Sequence, residues 1–372
     1  MNDLVAPPRR NTGSRPVPAD FCLAPRLVAV LEVKDLPPAE RDPLYYIQRA
    51  RAKHTNATYY SCLRQFAWWA RLPNPFPTTA TVIAYYLSEL AATHAPSTVA
   101  THAYAIRFAQ LKLGFGDPFA NNAELRDLLA GIKKTKAQED GWTVDQAPAF
   151  TRDDFVRMIR AIGNSLVEHR DRAYLLLALY GAFRQSELSR LTVDQLVPVT
   201  AKGLAIPMGT GKTDPTGEKR FVKAIPYGPD GLCAVTAVQT WLAASAIEDG
   251  PVFQRVRKNG TVGETATEKE KRLARGDARL HPPGLSHTAA NNLVRHYVKK
   301  AGLEDKGYSG HSLRASYVTL MRQLGASDDL ITRQTFHTDT AMLKVYDRPA
   351  DAFAGNPVGQ LGEALGRSVT LT

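Results

Sequence analysis

Apolar residues recur at helical spacing over most of this chain and at period two only in one short stretch. Tyr59, Leu63, Phe66 and Ala67 share a helix face that continues through Trp68, Trp69 and Leu72 until Pro73, Pro75 and Pro77 stop it. Val82, Ile83, Tyr86, Leu87 and Leu90 mark a second amphipathic helix over 79–92. Ser97 is placed to cap a third, which carries Tyr104, Ile106, Phe108 and Leu111 toward Leu113 before Gly114 and Gly116 end it. Asn121 to Lys134 reads as a fourth. After a polar, aperiodic stretch, Thr151 with Asp153 and Asp154 opens a new helix. An apolar helix follows over 167–180, and another begins around Arg184. Leu204–Met208 and Arg220–Ile225 read as strands of a hairpin joined through Gly209, Gly211, Pro215 and Gly217. Helices resume at 234–246 and again from Ser286. Between them, 253–280 is a charged, weakly apolar insertion whose 268–272 stretch reads as a solvated face.

The pattern predicts a mainly α protein. Residues 1–40 are a disordered, proline-rich arm, 41–136 a helical domain and 137–149 a linker. Residues 150–350 form an α-rich domain with a small β-hairpin, and 351–372 a tail with a short helical segment. At 372 residues, two or three domains are expected.

Charge narrows the partners. A net charge of +11 favours polyanions, nucleic acid first and an anionic membrane surface second. No apolar run reaches the ~18 residues of a spanning helix, and the N-terminus lacks a signal-peptide core, so a cytoplasmic or nucleoid-associated protein with no membrane role is expected. Cys22, Cys62 and Cys233 lie far apart without ligand spacing, which argues against a zinc site or a disulfide framework. Arg255, Arg257, Lys258, Lys299, Lys300, Lys133 and Lys134 are candidates for phosphate contacts. Trp68 and Trp69 are placed either to face DNA or to pack in the core, the latter favoured for at least one.

One ordered constellation suggests chemistry. Gly181-Ala-Phe-Arg184-Gln-Ser-Glu187-Leu188 is followed by Gly209-Thr-Gly-Lys212-Thr-Asp214, then His311-Ser-Leu-Arg314, His337 and Tyr346. Taken singly, each piece has a plainer explanation. Arg184/Glu187 reads as an exposed ion pair, His311/Arg314 as a solvated helix face, Tyr346 as a packed aromatic and Lys212 as a hairpin-turn cation. The glycines before Lys212 lack the spacing of a phosphate-binding loop. Taken together, the residues suit phosphodiester attack. Tyr346 is a nucleophile, and Arg184 and Arg314 suit the non-bridging oxygens because a guanidinium stays charged and grips phosphate through a planar fork. Lys212 suits protonation of the leaving oxygen, His311 assists proton transfer, and His337 donates a hydrogen bond. This chemistry requires no cofactor and no metal, and the acidic clusters of a two-metal nuclease do not occur in the sequence.

In order and interval these residues resemble the tyrosine recombinases, or phage-type integrases, over about residues 41–350. The resemblance implies catalytic roles for Arg184, Lys212, His311, Arg314, His337 and Tyr346, with Glu187 supporting the first arginine. It also implies a core-binding, SAM-like N-terminal domain and a catalytic domain closing around duplex DNA. The implied reaction is site-specific recombination through a 3′-phosphotyrosyl intermediate, without ATP, in a homotetramer on double-stranded DNA bearing specific recombination sites. The tail is implied to dock on a neighbouring protomer. One departure stands out: the family usually has Gly before the second His, whereas this chain has Phe336. The rival readings are a type IB topoisomerase, which relaxes DNA without exchanging partners, and a catalytically silent sequence-specific DNA-binding protein. A telomere resolvase fits this length poorly.

Overall fold

A computed structural model describes residues 17–29, 31, 52–120, 122–142, 147–209, 221–274, 281 and 284–337. The tail expected at 351–372 lies outside them, but the expected disordered arm is corrected where it is described: Leu23, Leu27 and Leu31 are buried in the core of the first unit, and Arg64 bonds the carbonyls of Pro18 and Phe21. The chain divides into two compact units, Met1–Val144 and Asp145–Thr372.

The described part of the first unit is helical: α1 (Pro25–Ala29), α2 (Lys53–Ala70), α3 (Ala80–Ala91), α4 (Pro96–Lys112) and α5 (Ala123–Gln138). Arg71 ends α2 in the left-handed conformation, its N–H returning to the last carbonyls. Thr79 caps α3, accepting the Val82 N–H at 3.3 Å. Ser97 does not cap α4. Pro96 occupies the first turn, where its missing N–H costs nothing, and Ala95 precedes the helix. Asn122 caps α5, which runs to Gln138, one turn beyond the expected end. The core packs Phe66 against Trp69, Phe76 and Tyr86. Trp69 gives its indole N–H to Glu89 at 2.8 Å, and Trp68 stays 38% exposed with its edge against Phe21.

In the second unit, α6 (Arg152–Arg160) carries Asp153 and Asp154 in its first turn and Arg157 and Arg160 in its last, matching the helix dipole. Helix α7 (Leu166–Tyr180) is buried on nearly every side from Ala173 to Leu179, so it forms the centre of the core rather than an amphipathic edge. A 4-residue helix, α8 (Gln185–Leu188), follows. Strands β1 (Val197–Val199), β2 (Gly203–Pro207) and β3 (Val222–Pro226) form an antiparallel sheet in that order, with Ile206 opposite Lys223 and Leu204 opposite Ile225. The period-two pattern located β2 and β3 to within two residues. It missed β1, which is three residues long, exposed and interrupted by Pro198.

Helices α9 (Ala234–Ser245), α10 (Ala266–Ala274), α11 (His287–Lys300), α12 (Gly310–Gln323) and α13 (Asp328–Thr335) complete the described residues. The 253–274 region corrects the expected solvated insertion. Phe253 is fully buried and its carbonyl accepts the Leu285 N–H at 2.9 Å. Arg272 is buried and bonds Glu264 at 3.0 Å, and Arg257 pairs with Glu268. The acids and bases of this stretch answer one another across a turn instead of all facing water.

Candidate active site

Arg184 is delivered by a sharp turn. Helix α7 ends at Tyr180, Ala182 takes a positive φ of 47°, and Arg184 itself is extended and caps α8. One turn on, Glu187 accepts the Arg184 backbone N–H at 2.9 Å and its Nη1 at 2.7 Å, fixing main chain and guanidinium together. Burial alone would raise the Glu187 carboxyl. Lys223, the Arg184 N–H and the two arginines outweigh it and hold the group below its ordinary value.

Arg314 comes from α12. The helix begins at Gly310, whose N–H is taken by Asn291 Oδ1 at 2.9 Å. A Cβ at 310 would overlap the Gln185 amide, so glycine lets α8 pack against the start of α12. One and four residues beyond Gly310 the side chains diverge. His311 is exposed, its ring centroid 5.7 Å from that of His287, whereas Arg314 is only 7% exposed. Partial desolvation and the His287 ring hold the His311 imidazole below its usual value. Arg314 donates through Nη1 to the Ala182 carbonyl at 2.5 Å and through Nη2 to the Thr335 carbonyl.

His337 follows α13, and the unusual residue before it solves a backbone problem. Phe336 adopts φ 54° and ψ 41°, the left-handed region that the family's glycine enters freely. A side chain there costs about 1–2 kcal/mol. The ring is recovered by packing: it stacks on Phe221 at 4.4 Å and lies 4.3 Å from the Lys223 ammonium. Thr335 donates its hydroxyl proton to the Ile331 carbonyl at 2.9 Å, so toward His337 Nδ1 at 3.0 Å it serves as acceptor. That places the imidazole proton on Nδ1 and the lone pair on Nε2, 3.3 Å from Arg314 Nη2. Burial, then Arg314, Arg184 and Lys223, push His337 down to about 4, so the ring is neutral at pH 7.

Lys223 is the residue that sequence reasoning passed over. It is absent from the constellation the sequence singles out, yet it is fully buried, and its Nζ bonds the carbonyls of Gly181 at 2.7 Å and Gln334 at 2.5 Å. A signal was present, since Lys223 and Ile225 share the inward face of β3 while Val222, Ala224 and Pro226 face out. Lys212 and Tyr346 lie outside the described residues. The structure thus brings together Arg184, Glu187, Arg314 and His337, with His311 one helical turn from Arg314.

The candidate DNA contacts divide. Arg255, Lys258, Lys299, Lys133 and Lys134 are exposed. Arg257 is half-buried against Glu268, and Lys300, though exposed, bonds Glu168 at 3.1 Å.

Comparison with known proteins points the same way as the geometry. Residues 148–352 match the phage integrase family. An integrase/recombinase xerD homolog from Selenomonas ruminantium is 25% identical over 320 residues, covering 85% of this chain and 87% of the relative. Among solved structures, the fold is similar to XerH site-specific recombinase bound to a palindromic difH substrate in a post-cleavage complex. That similarity has a TM-score of 0.53 at 14% identity and covers 85% of this chain and 83% of that one. It is also similar to a lambda integrase dimer bound to a COC′ core site, at TM-score 0.51 and 15% identity over 80% and 92% of the two chains. The Tn1549 transposon integrase in complex with transposon right-end DNA gives TM-score 0.51 at 16% identity, over 84% and 96%.

Proposed function

The chain belongs to the phage integrase family and is a tyrosine site-specific recombinase, and from that premise we propose that it breaks and rejoins duplex DNA at paired sites through Tyr346. The observation that carries this reading is electrostatic. Arg184, Arg314 and Lys223 share one carboxylate, Glu187, among the described residues, leaving the cluster in positive excess. A buried excess of this kind is stabilised by an anion, and a phosphodiester fits two guanidiniums by shape as well as charge.

In the proposed reaction the Tyr346 oxygen attacks phosphorus. A phosphotyrosyl bond forms at the 3′ side, the bond to the 5′ oxygen breaks, and that oxygen takes a proton from Lys212. Arg184 and Arg314 neutralise the non-bridging oxygens, and His311 accepts the phenol proton. His337 presents a lone pair to Arg314 in the DNA-free protein, so donating to phosphate requires its imidazolium, which the incoming negative charge favours. Attack by the 5′-hydroxyl of the partner duplex reverses the step and conserves the bond, so neither ATP nor a cofactor is consumed.

Two duplexes with paired cleavages call for a homotetramer on double-stranded DNA, with residues 351–372 docking in trans. Residues 41–136 serve as the core-binding domain, 137–149 as the linker and 150–350 as the catalytic domain. Arg255, Lys258, Lys299, Lys133 and Lys134 take phosphates, whereas Arg257 and Lys300 first have to leave their acidic partners. Among the described residues no helix is long and apolar enough to cross a membrane.

Covalent capture tests the proposal. DNA recovered from denatured protein and sequenced is expected to concentrate at a few loci with wild type and to vanish with Tyr346→Phe. Scattered adducts would indicate topoisomerase-like nicking. If a nicked suicide duplex built on a binding-selected site also gave no adduct, the chain would be a silent binder.

A further inference from the structure

We propose that Lys223 is a positioning residue of this site, a buried ammonium that locks the turn carrying Arg184 to the turn carrying His337 so that both meet one phosphate. The proposal rests on the recombinase reading above. Two cations stitch the same pair of turns at successive residues. Lys223 joins the carbonyls of Gly181 and Gln334. Arg314 joins those of the next residues, Ala182 and Thr335. Arg184 lies three and two residues after Gly181 and Ala182, and His337 lies three and two residues after Gln334 and Thr335. The symmetry makes a frame in which the two functional side chains leave at matched distances from their anchors.

The two cations are not equivalent within that frame. Arg314 is placed to grip phosphate, and engaging a ligand redirects donors now spent on carbonyls. Lys223 has no such second duty. It is fully buried between the rings of Phe183 at 4.9 Å and Phe336 at 4.3 Å, and its donors end on main-chain oxygens. It can therefore hold the turns while Arg314 exchanges partners. The Gln334 side chain adds to the lock, donating to the carbonyls of Tyr180 at 3.0 Å and Ala224 at 2.9 Å, so the end of α7, the end of α13 and β3 converge on a few backbone atoms.

The electrostatics agree. Burial lowers the Lys223 ammonium to about 7, Glu187 opposing and Arg314 and Arg184 adding to the fall. A phosphate arriving beside the arginines offsets their repulsion and favours the charged, bonded form, so the frame tightens when DNA is seated. Because Lys223 does not face the phosphate, its contribution is to geometry rather than to the reacting atoms.

The test uses the full-length protein and two readouts. Lys223→Met keeps the length of the side chain and removes the charge and both donors. With a nicked suicide duplex built on a binding-selected site, it is expected to bind within about threefold of wild type while single-turnover cleavage falls about 10–100-fold, the scale of an ångström-sized misplacement. In the DNA-free protein, NMR titration of the His337 ring is expected to move upward, since Lys223 is one of the cations opposing its protonation. Should Lys223→Met not fold, Lys223→Gln, whose amide can still reach one carbonyl, takes its place with the same expectations. Cleavage within threefold of wild type together with an unmoved His337 midpoint would overturn the proposal. If wild type itself forms no adduct, the recombinase reading fails, and the His337 midpoint still decides whether Lys223 sets that turn.

Discussion

The first unit and the candidate active site of the second bury polar groups in opposite ways. In the first, neutral polar groups answer one another: Tyr86 OH meets His102 Nδ1 at 2.8 Å, and the Gln110 amide bonds both the N–H and the carbonyl of Thr78. Those bonds fix the packing of α3 and α4. In the second, Arg314 and Lys223 are anchored on main-chain carbonyls, and only Glu187 among the described residues answers the site's charge. A closed polar pair adds to stability alone, whereas a cluster of like charges held by backbone oxygens keeps an electrostatic demand for a ligand. The contrast separates scaffold from active site without reference to any relative.

Four measurements would break or sharpen that contrast. The largest effect is expected from Arg314→Lys, whose point charge cannot hold the Ala182 and Thr335 carbonyls and also fork a phosphate. Suicide-substrate cleavage should fall by about 10²–10³-fold, the scale of losing a preorganised donor, with the fold intact by circular dichroism. Next is Glu187→Gln. Losing the shared carboxylate should lower cleavage about 10–100-fold, because Arg184 loses the charged partner that orients it, and a misplaced group costs rate on that scale. The same change should also lower the Lys223 pKa, as read by NMR.

The third measurement concerns the scaffold. Burial, then His94, lowers His102 to about 4, against an unfolded value near 6.5. A group depressed in the folded state contributes stability above its unfolded pKa and loses it as pH falls through the folded one. Melting of the full chain should therefore worsen between about pH 6.5 and 4, by roughly 3 kcal/mol at most from this residue, and His102→Phe should flatten that slope. The smallest effect is expected for Phe336→Gly, which relieves about 1–2 kcal/mol of backbone strain but removes a buried ring worth about 2–3 kcal/mol. Denaturant unfolding should show a net loss of about 1 kcal/mol.

The sequence disclosed the elements that obey a single period. α2, α3, α7 and the β2–β3 pair were legible because their apolar spacing is regular, and the ordered set from Arg184 to His337 was legible because residue type and interval both constrain it. What stayed hidden depends on partners distant in sequence. Lys223 looks like any surface lysine until Gly181 and Gln334 supply its carbonyls, and Arg272 looks solvated until Glu264 folds back to it. Strand β1 has too few residues to show a period at all. The difficulty at Phe336 was visible as a departure from glycine, but its resolution required Phe221, 115 positions earlier.

That last pairing bears on how this site can change by descent. A replacement of Phe336 by glycine eases the main chain yet empties the space beside Phe221 and strips one ring from the Lys223 ammonium. A replacement of Phe221 alone leaves the strained residue without its stacking partner. Each single step is disfavoured and the double step is not, so positions 221 and 336 form an epistatic pair. Lineages that reach the ordinary glycine should arrive with a different residue already in place just before the third strand.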